Sequence, residues 1–263
     1  MKRIVLLFLL LLAPAAVRAQ GTVNALETDF QGRINLGVEK KIIKGLHLGL
    51  DAEMRLKDNF GRVGRAQADL NLSWKPLPWL KATLGYIFIE HQSSEREWKM
   101  RHRVYVNATA SLDAGDWRFS LREQLQMTHK TVNNPHKHTP NPLELKSRVK
   151  AEYRGWKRWH PYAFVELKNC FNDPVWKATW SEAAKAYVNS SFSGYGDCYI
   201  NRMRGALGVE WKLSKHHALD FHALVDYCYD KNITTQNSQK NLKSLTWDQA
   251  LNTSFCVGYK FSF

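Results

Sequence analysis

From Phe30 onward apolar and polar residues alternate with a period of two, the signature of strands that have one oily face and one wet face. Leu46, Leu48, Leu50, Ala52, Met54 and Leu56 form one such row, with His47, Asp51, Glu53, Arg55 and Lys57 between them. The pattern recurs over Ala68 to Trp74, Leu80 to Phe88, Met100 to Leu112, Trp117 to Met127, Leu143 to Tyr153, Ala163 to Leu167, Met203 to Trp211 and Leu219 to Tyr227. It ends in Leu251 to Phe263, LNTSFCVGYKFSF. Short turn signals (KIIKG, PLPW, DAGD, GWKRWH, SKHH) separate these rows. Longer polar stretches alternate with them: DNFGR, HKTVNNPHKHTPN, an excursion from Asn169 to Tyr199, and DKNITTQNSQKNLKS. The periodicity predicts an all-β domain. Placing every short turn at one end requires a further strand within Thr22 to Asp29, so the expected count is about twelve, with ten as the alternative, an even number being usual.

Strands that keep one face continuously apolar while their average composition looks soluble predict an antiparallel, up-and-down transmembrane barrel. Trp74, Trp79, Trp117, Trp156, Trp159, Trp211, Phe261 and Phe263 fall at the short-turn ends, where an interfacial girdle belongs. The N-terminal MKRIVLLFLLLLAPAAVRAQ has the basic, apolar and small-residue parts of a signal peptide, cleaved after Ala19. Its apolar run before Pro14 is shorter than the roughly 20 residues a spanning helix needs. The expected organisation is therefore a signal peptide over residues 1–19 and one barrel domain over residues 20–263.

The final strand, ending on Phe263, resembles the C-terminal signal of bacterial outer-membrane barrels. That resemblance implies an outer-membrane address, with membrane lipids and the barrel-assembly machinery as partners. GVEKKIIKGLHLGLDAEMR, LKATLGYIF, PYAFVELKN and RMRGALGVEWKLSK resemble a family of Gram-negative outer-membrane proteins known as domain of unknown function 2490. This second resemblance implies a barrel and brings no active site with it.

Charge changes the picture in one respect. The chain carries 38 lysines and arginines against 24 carboxylates, a formal net charge of +14. Such an excess suits a nucleic-acid binder, but an exported chain seldom meets nucleic acid, and anionic headgroups or an anionic solute are the simpler partners. The inward parity collects Arg101, Arg103, Arg118, Arg122, Arg148, Arg202 and Arg204 together with Glu53, Glu152, Glu166, Glu210 and Asp226. A buried unpaired ion costs several kcal/mol, so these groups must pair or stay wet. Two roles stand open: a structural barrel held shut by ion pairs, or a narrow basic-lined pore for small anionic solutes. Binding at the cell surface through the long loops is a third.

Candidate chemistry is sparse. Four cysteines in an exported chain suggest disulfides, and order along the strands offers Cys170–Cys198 and Cys228–Cys256, with free thiols the alternative. No close cysteine spacing points to a metal, and His136 and His138 in one polar loop read as solvated. No cofactor motif is present. His102, Glu123 and Ser147 interrupt the oily faces of three consecutive strands, which are the parts of a lipid-facing hydrolytic site: nucleophile Ser147, base His102, orienter Glu123. A β-bulge or an oligomer seam explains the same residues, and the expectation is that the chain is not an enzyme. Oligomeric state is not fixed by the sequence.

Overall fold

The computed structural model describes residues 22–93, 96–236 and 241–263, and the expected signal peptide lies outside them. Eleven strands close into one barrel: β1 (Thr22–Ile43), β2 (Leu46–Lys57), β3 (Arg62–Leu77), β4 (Leu80–Gln92), β5 (Trp98–Ala114), β6 (Trp117–Lys130), β7 (Leu143–Tyr153), β8 (Trp159–Ser181), β9 (Ala186–Lys212), β10 (His217–Gln236) and β11 (Asn241–Ser262). Each strand pairs antiparallel with its sequence neighbours. The ring is completed where β1 runs parallel to β11, Gly32 lying opposite Phe255.

The expectation of twelve or ten antiparallel strands is corrected here to eleven in a mixed barrel. Thr22 to Asp29 is not a separate strand: it extends the start of β1 and pairs with β11 from Thr246 to Asn252. A barrel with an odd number of strands closes only if its first and last strands run the same way. The excursion from Asn169 to Tyr199 is also mostly strand. β8 and β9 continue as a bulged hairpin to Ser181 and Ala186, and β10 and β11 rise beside it. The wall is therefore taller over β8 to β11 than over β2 to β7.

The turns Lys44–Gly45, Pro78–Trp79, Gly115–Asp116, 154–158 and 213–216 share one end with the C-terminus, where Lys41 N donates to the Phe263 carbonyl at 2.8 Å. Gly45 and Gly115 take positive φ (83° and 60°), a region that glycine enters at little steric cost and that each of these tight turns uses at one position. The opposite end carries the longer loop 131–142 and the N-terminal residues of β1.

Polarity is inverted relative to a soluble core. Along β6, Gln124, Gln126 and Thr128 are buried, whereas Leu125 and Met127 between them are 42% and 44% exposed. The Leu48–Leu50–Met54 row and Phe255 are likewise exposed, so nothing else in the described chain covers either row. Trp74, Trp79, Trp117, Trp156 and Trp159 are exposed at the short-turn end, and Trp159 stacks on Trp211 with ring centroids 4.8 Å apart. Small apolar clusters survive inside, such as Trp176, Ile233 and Leu242 within the tall wall.

Candidate functional site

The lumen is organised by a single rung of charge. Arg122, Arg148, Glu166, Arg204 and Asp226 are successive cross-strand neighbours on β6 to β10. The period of two turns all five inward. Glu166 lies 2.6 Å from Arg148, 2.8 Å from Arg122 and 3.1 Å from Arg204. Asp226 lies 2.9 Å from Arg204 and 3.5 Å from Arg33, with Arg202 at 3.6 Å. Two carboxylates, each about 3% exposed, thus bind together five arginines from β1, β6, β7 and β9. Such a network exceeds a set of isolated pairs because each charge is held in place by several others.

The rung separates two chambers. The one toward the short turns has a volume of about 450 Å³, and the one toward the loop end about 350 Å³; Arg55 and Arg204 line both. Loop 131–142 roofs the second. Its base is zipped to β6 by hydrogen bonds from Thr128 N to the Pro142 carbonyl and from Lys130 N to the Pro140 carbonyl. Its far side leans on the tall wall: Trp176 donates to the His136 carbonyl at 2.9 Å, Tyr195 to the Pro135 carbonyl at 3.0 Å, and Asn134 to Thr235 at 3.3 Å. His138 and Thr139 face into the chamber.

The family described as "Protein of unknown function (DUF2490)" matches residues 31–237. The chain belongs to the DUF2490 family. No curated protein matches the chain. The matched span includes all seven residues of the charge rung and its partners, and loop 131–142.

The remaining sequence-derived residues of this DUF2490 barrel divide clearly. Arg101, Arg103 and Arg202 line the loop-end chamber with Glu166, and Glu53 and Glu210 line the other. Glu152 pairs with Lys150 at 2.8 Å, and Arg118 pairs with Asp113 at the short-turn mouth. Two further buried cations have no distinctive sequence signal: Arg33 shares its parity with the other polar residues of β1, and Lys231 stands in a polar stretch that reads as loop, yet it is held by Asp197 at 2.5 Å and Asp173 at 3.3 Å. In the lower chamber Tyr162 donates to Asp220, and His222 Nδ1 lies 2.6 Å from Asp220 Oδ1.

On the outer face the structure brings Ser147 and Glu123 together and leaves His102 apart. The Ser147 hydroxyl donates to Glu123 at 2.6 Å, but Glu123 pairs with Ala108, six residues along β5 from His102, or about 20 Å. His102 instead contacts the Tyr86 hydroxyl at 2.6 Å. His102 is therefore not placed to serve Ser147 as a base.

All four cysteines are free thiols, which corrects both disulfides. Cys256 pairs with His222 and Cys228 with Ala250, so these two are also six residues apart, far beyond the Cα separation of about 7 Å that a disulfide tolerates. Cys170 lies opposite Tyr199 and both line the loop-end chamber; Cys198, the next residue, turns to the other face of its strand. Among the described residues no group of three His, Cys, Asp or Glu side chains is placed to hold a metal ion.

The roof should respond to pH through His138. Burial, followed by the charges of Lys130, Lys137 and Arg101, pushes the His138 imidazole below its ordinary value of 6.5. A group whose protonation is harder in the folded loop stabilises that loop at high pH and loses this contribution as pH falls through 6.5 toward the folded value. Hydrogen exchange over residues 131–141, corrected for intrinsic rates, should accelerate as pH falls from 7.5 to 5.5, and His138→Gln should flatten the dependence. Exchange that slows on acidification would contradict this account.

Proposed function

We propose that this DUF2490 chain is an outer-membrane β-barrel whose lumen is held shut by the Glu166–Asp226 arginine network. The observation that carries the reading is the inversion of polarity: a largely apolar exterior around an ionised, buried interior, with exposed tryptophans at the short-turn end. Hydrocarbon is the solvent that makes this arrangement favourable, since exposed leucines, valines and methionines would otherwise form an apolar surface far larger than soluble monomers present. The short turns then face the periplasm and loop 131–142 the outside. β11 supplies the aromatic C-terminal strand for the assembly machinery.

Structural closure is the primary role in this reading. A basic path for small anions is the second, favoured by the loop-end chamber, whose wall carries ten lysines and arginines against four carboxylates. The test is twofold. The protein should stay in the membrane pellet after salt washing and leave it only in detergent. Purified into planar bilayers, it should give either no conductance or small, anion-preferring steps. Release without detergent, or large cation-selective steps, would overturn the proposal.

A further inference from the structure

The loop-end chamber has a feature that closure alone does not require. Three cross-strand pairs on its wall are cation against cation: Arg55 opposite Arg65, Arg101 opposite Lys130, and Lys146 opposite Lys168. Like charges directly opposite one another destabilise a sheet, and here three such pairs face one cavity of about 350 Å³. The chamber's own carboxylates are already engaged. Glu144 is 2.7 Å from Lys168, Glu166 belongs to the arginine rung, Asp173 is 3.3 Å from Lys231, and Asp230 accepts from Asn201 at 3.2 Å.

Arg65, Arg101, Arg103, Lys130 and Lys146 are consequently left without a carboxylate within 4 Å among the described residues. Neutral side chains meet part of the demand: Arg103 donates to Thr128 at 2.8 Å and Arg65 to Gln67. Arg65 Nε is buried with no hydrogen-bond partner.

We propose that this chamber is a binding site for a soluble multivalent oxyanion, held by Arg101, Arg103, Lys130 and Lys146 beneath the roof loop. Five unmatched cations converging on one cavity leave a charge that a single monovalent ion would not balance. Arginine forks match the oxygens of phosphate and carboxylate groups two at a time. The wall turns its other face outward, so the ligand arrives from water and not from lipid. This proposal rests on the lumen-facing charge described above and is independent of where the barrel resides.

The experiment uses the full mature chain in neutral detergent, with inorganic pyrophosphate as the probe and sodium chloride at matched ionic strength as the reference. Pyrophosphate should bind saturably near one equivalent by calorimetry and raise the melting temperature, with chloride giving neither effect. Arg101→Gln and Lys146→Gln should each weaken binding at least tenfold, while Lys185→Gln on the exposed β8–β9 turn should leave it unchanged. Because the first two substitutions relieve repulsion, each should also melt higher than the parent in anion-free buffer, so loss of binding and loss of fold are separable. Chloride as effective as pyrophosphate, undiminished binding when Arg101→Gln and Lys146→Gln are combined, or variants that melt lower without anion would each overturn the site. A chamber blind to anions would leave the barrel's proposed closure and address standing, since those are read by conductance and fractionation.

Discussion

Glu166→Gln is expected to destabilise the barrel by about 3 to 5 kcal/mol, the cost of leaving buried charges without their counterion. Three arginines converge on this carboxylate from three strands, and no other described carboxylate lies within 4 Å of Arg122 or Arg148. The neutral amide keeps the shape and loses the charge. Unfolding by urea in detergent reads the loss, and removing Arg148 as well should recover part of it, because one uncompensated cation disappears. The same substitution should loosen the partition between the chambers, so the conductance of E166Q should exceed that of the parent. A change below about 1 kcal/mol would mean that solvent, not the carboxylate, holds those arginines.

The second large effect is expected on the opposite face. Val165, the residue preceding Glu166, is 58% exposed and lies six residues along β8 from Trp159 at the short-turn end. If the outer row sits in hydrocarbon, as proposed, Val165→Arg places a cation near mid-depth and should cost about 2 to 4 kcal/mol. Leu112→Arg, beside the short-turn end, should cost about 0 to 1 kcal/mol. Folding titrations into lipid bilayers measure both. A barrel surrounded by water would show almost no difference between the two, since surface substitutions usually stay within about 0.5 kcal/mol.

Faces were legible in the sequence because parity is a local property. Leu50 and Asp51, or Leu125 and Gln126, declare their sides without knowledge of any partner, and Arg101, Arg103, Arg202 and Arg204 line a chamber as their parity requires. Relative height was not legible. It depends on register, which accumulates through turns and bulges, and this is why Cys228 and Cys256, or His102 and Glu123, matched in parity yet lie six residues apart. Ser147 and Glu123 met because their strands are joined directly and in register. The tall wall was hidden for another reason: from Asp173 to Ser191 both faces are polar or mixed, so the alternation that marks a strand fades. The parallel seam has no turn of its own, and hence no local signal. The cation-on-cation pairs were invisible for the same reason as the misplaced disulfides, each depending on knowing which residue lies across.

That seam also sets the order of assembly. Gly32 and Phe255 are joined only after every intervening strand has found its place, so ring closure carries the largest loop entropy of any contact in the molecule and should be the last event. Until then β1 and β11 each present a row of unpaired amides and carbonyls, two adhesive edges at opposite margins of an open sheet. A chain stalled before the seam closes keeps both margins sticky, and its natural fate is to join another stalled chain.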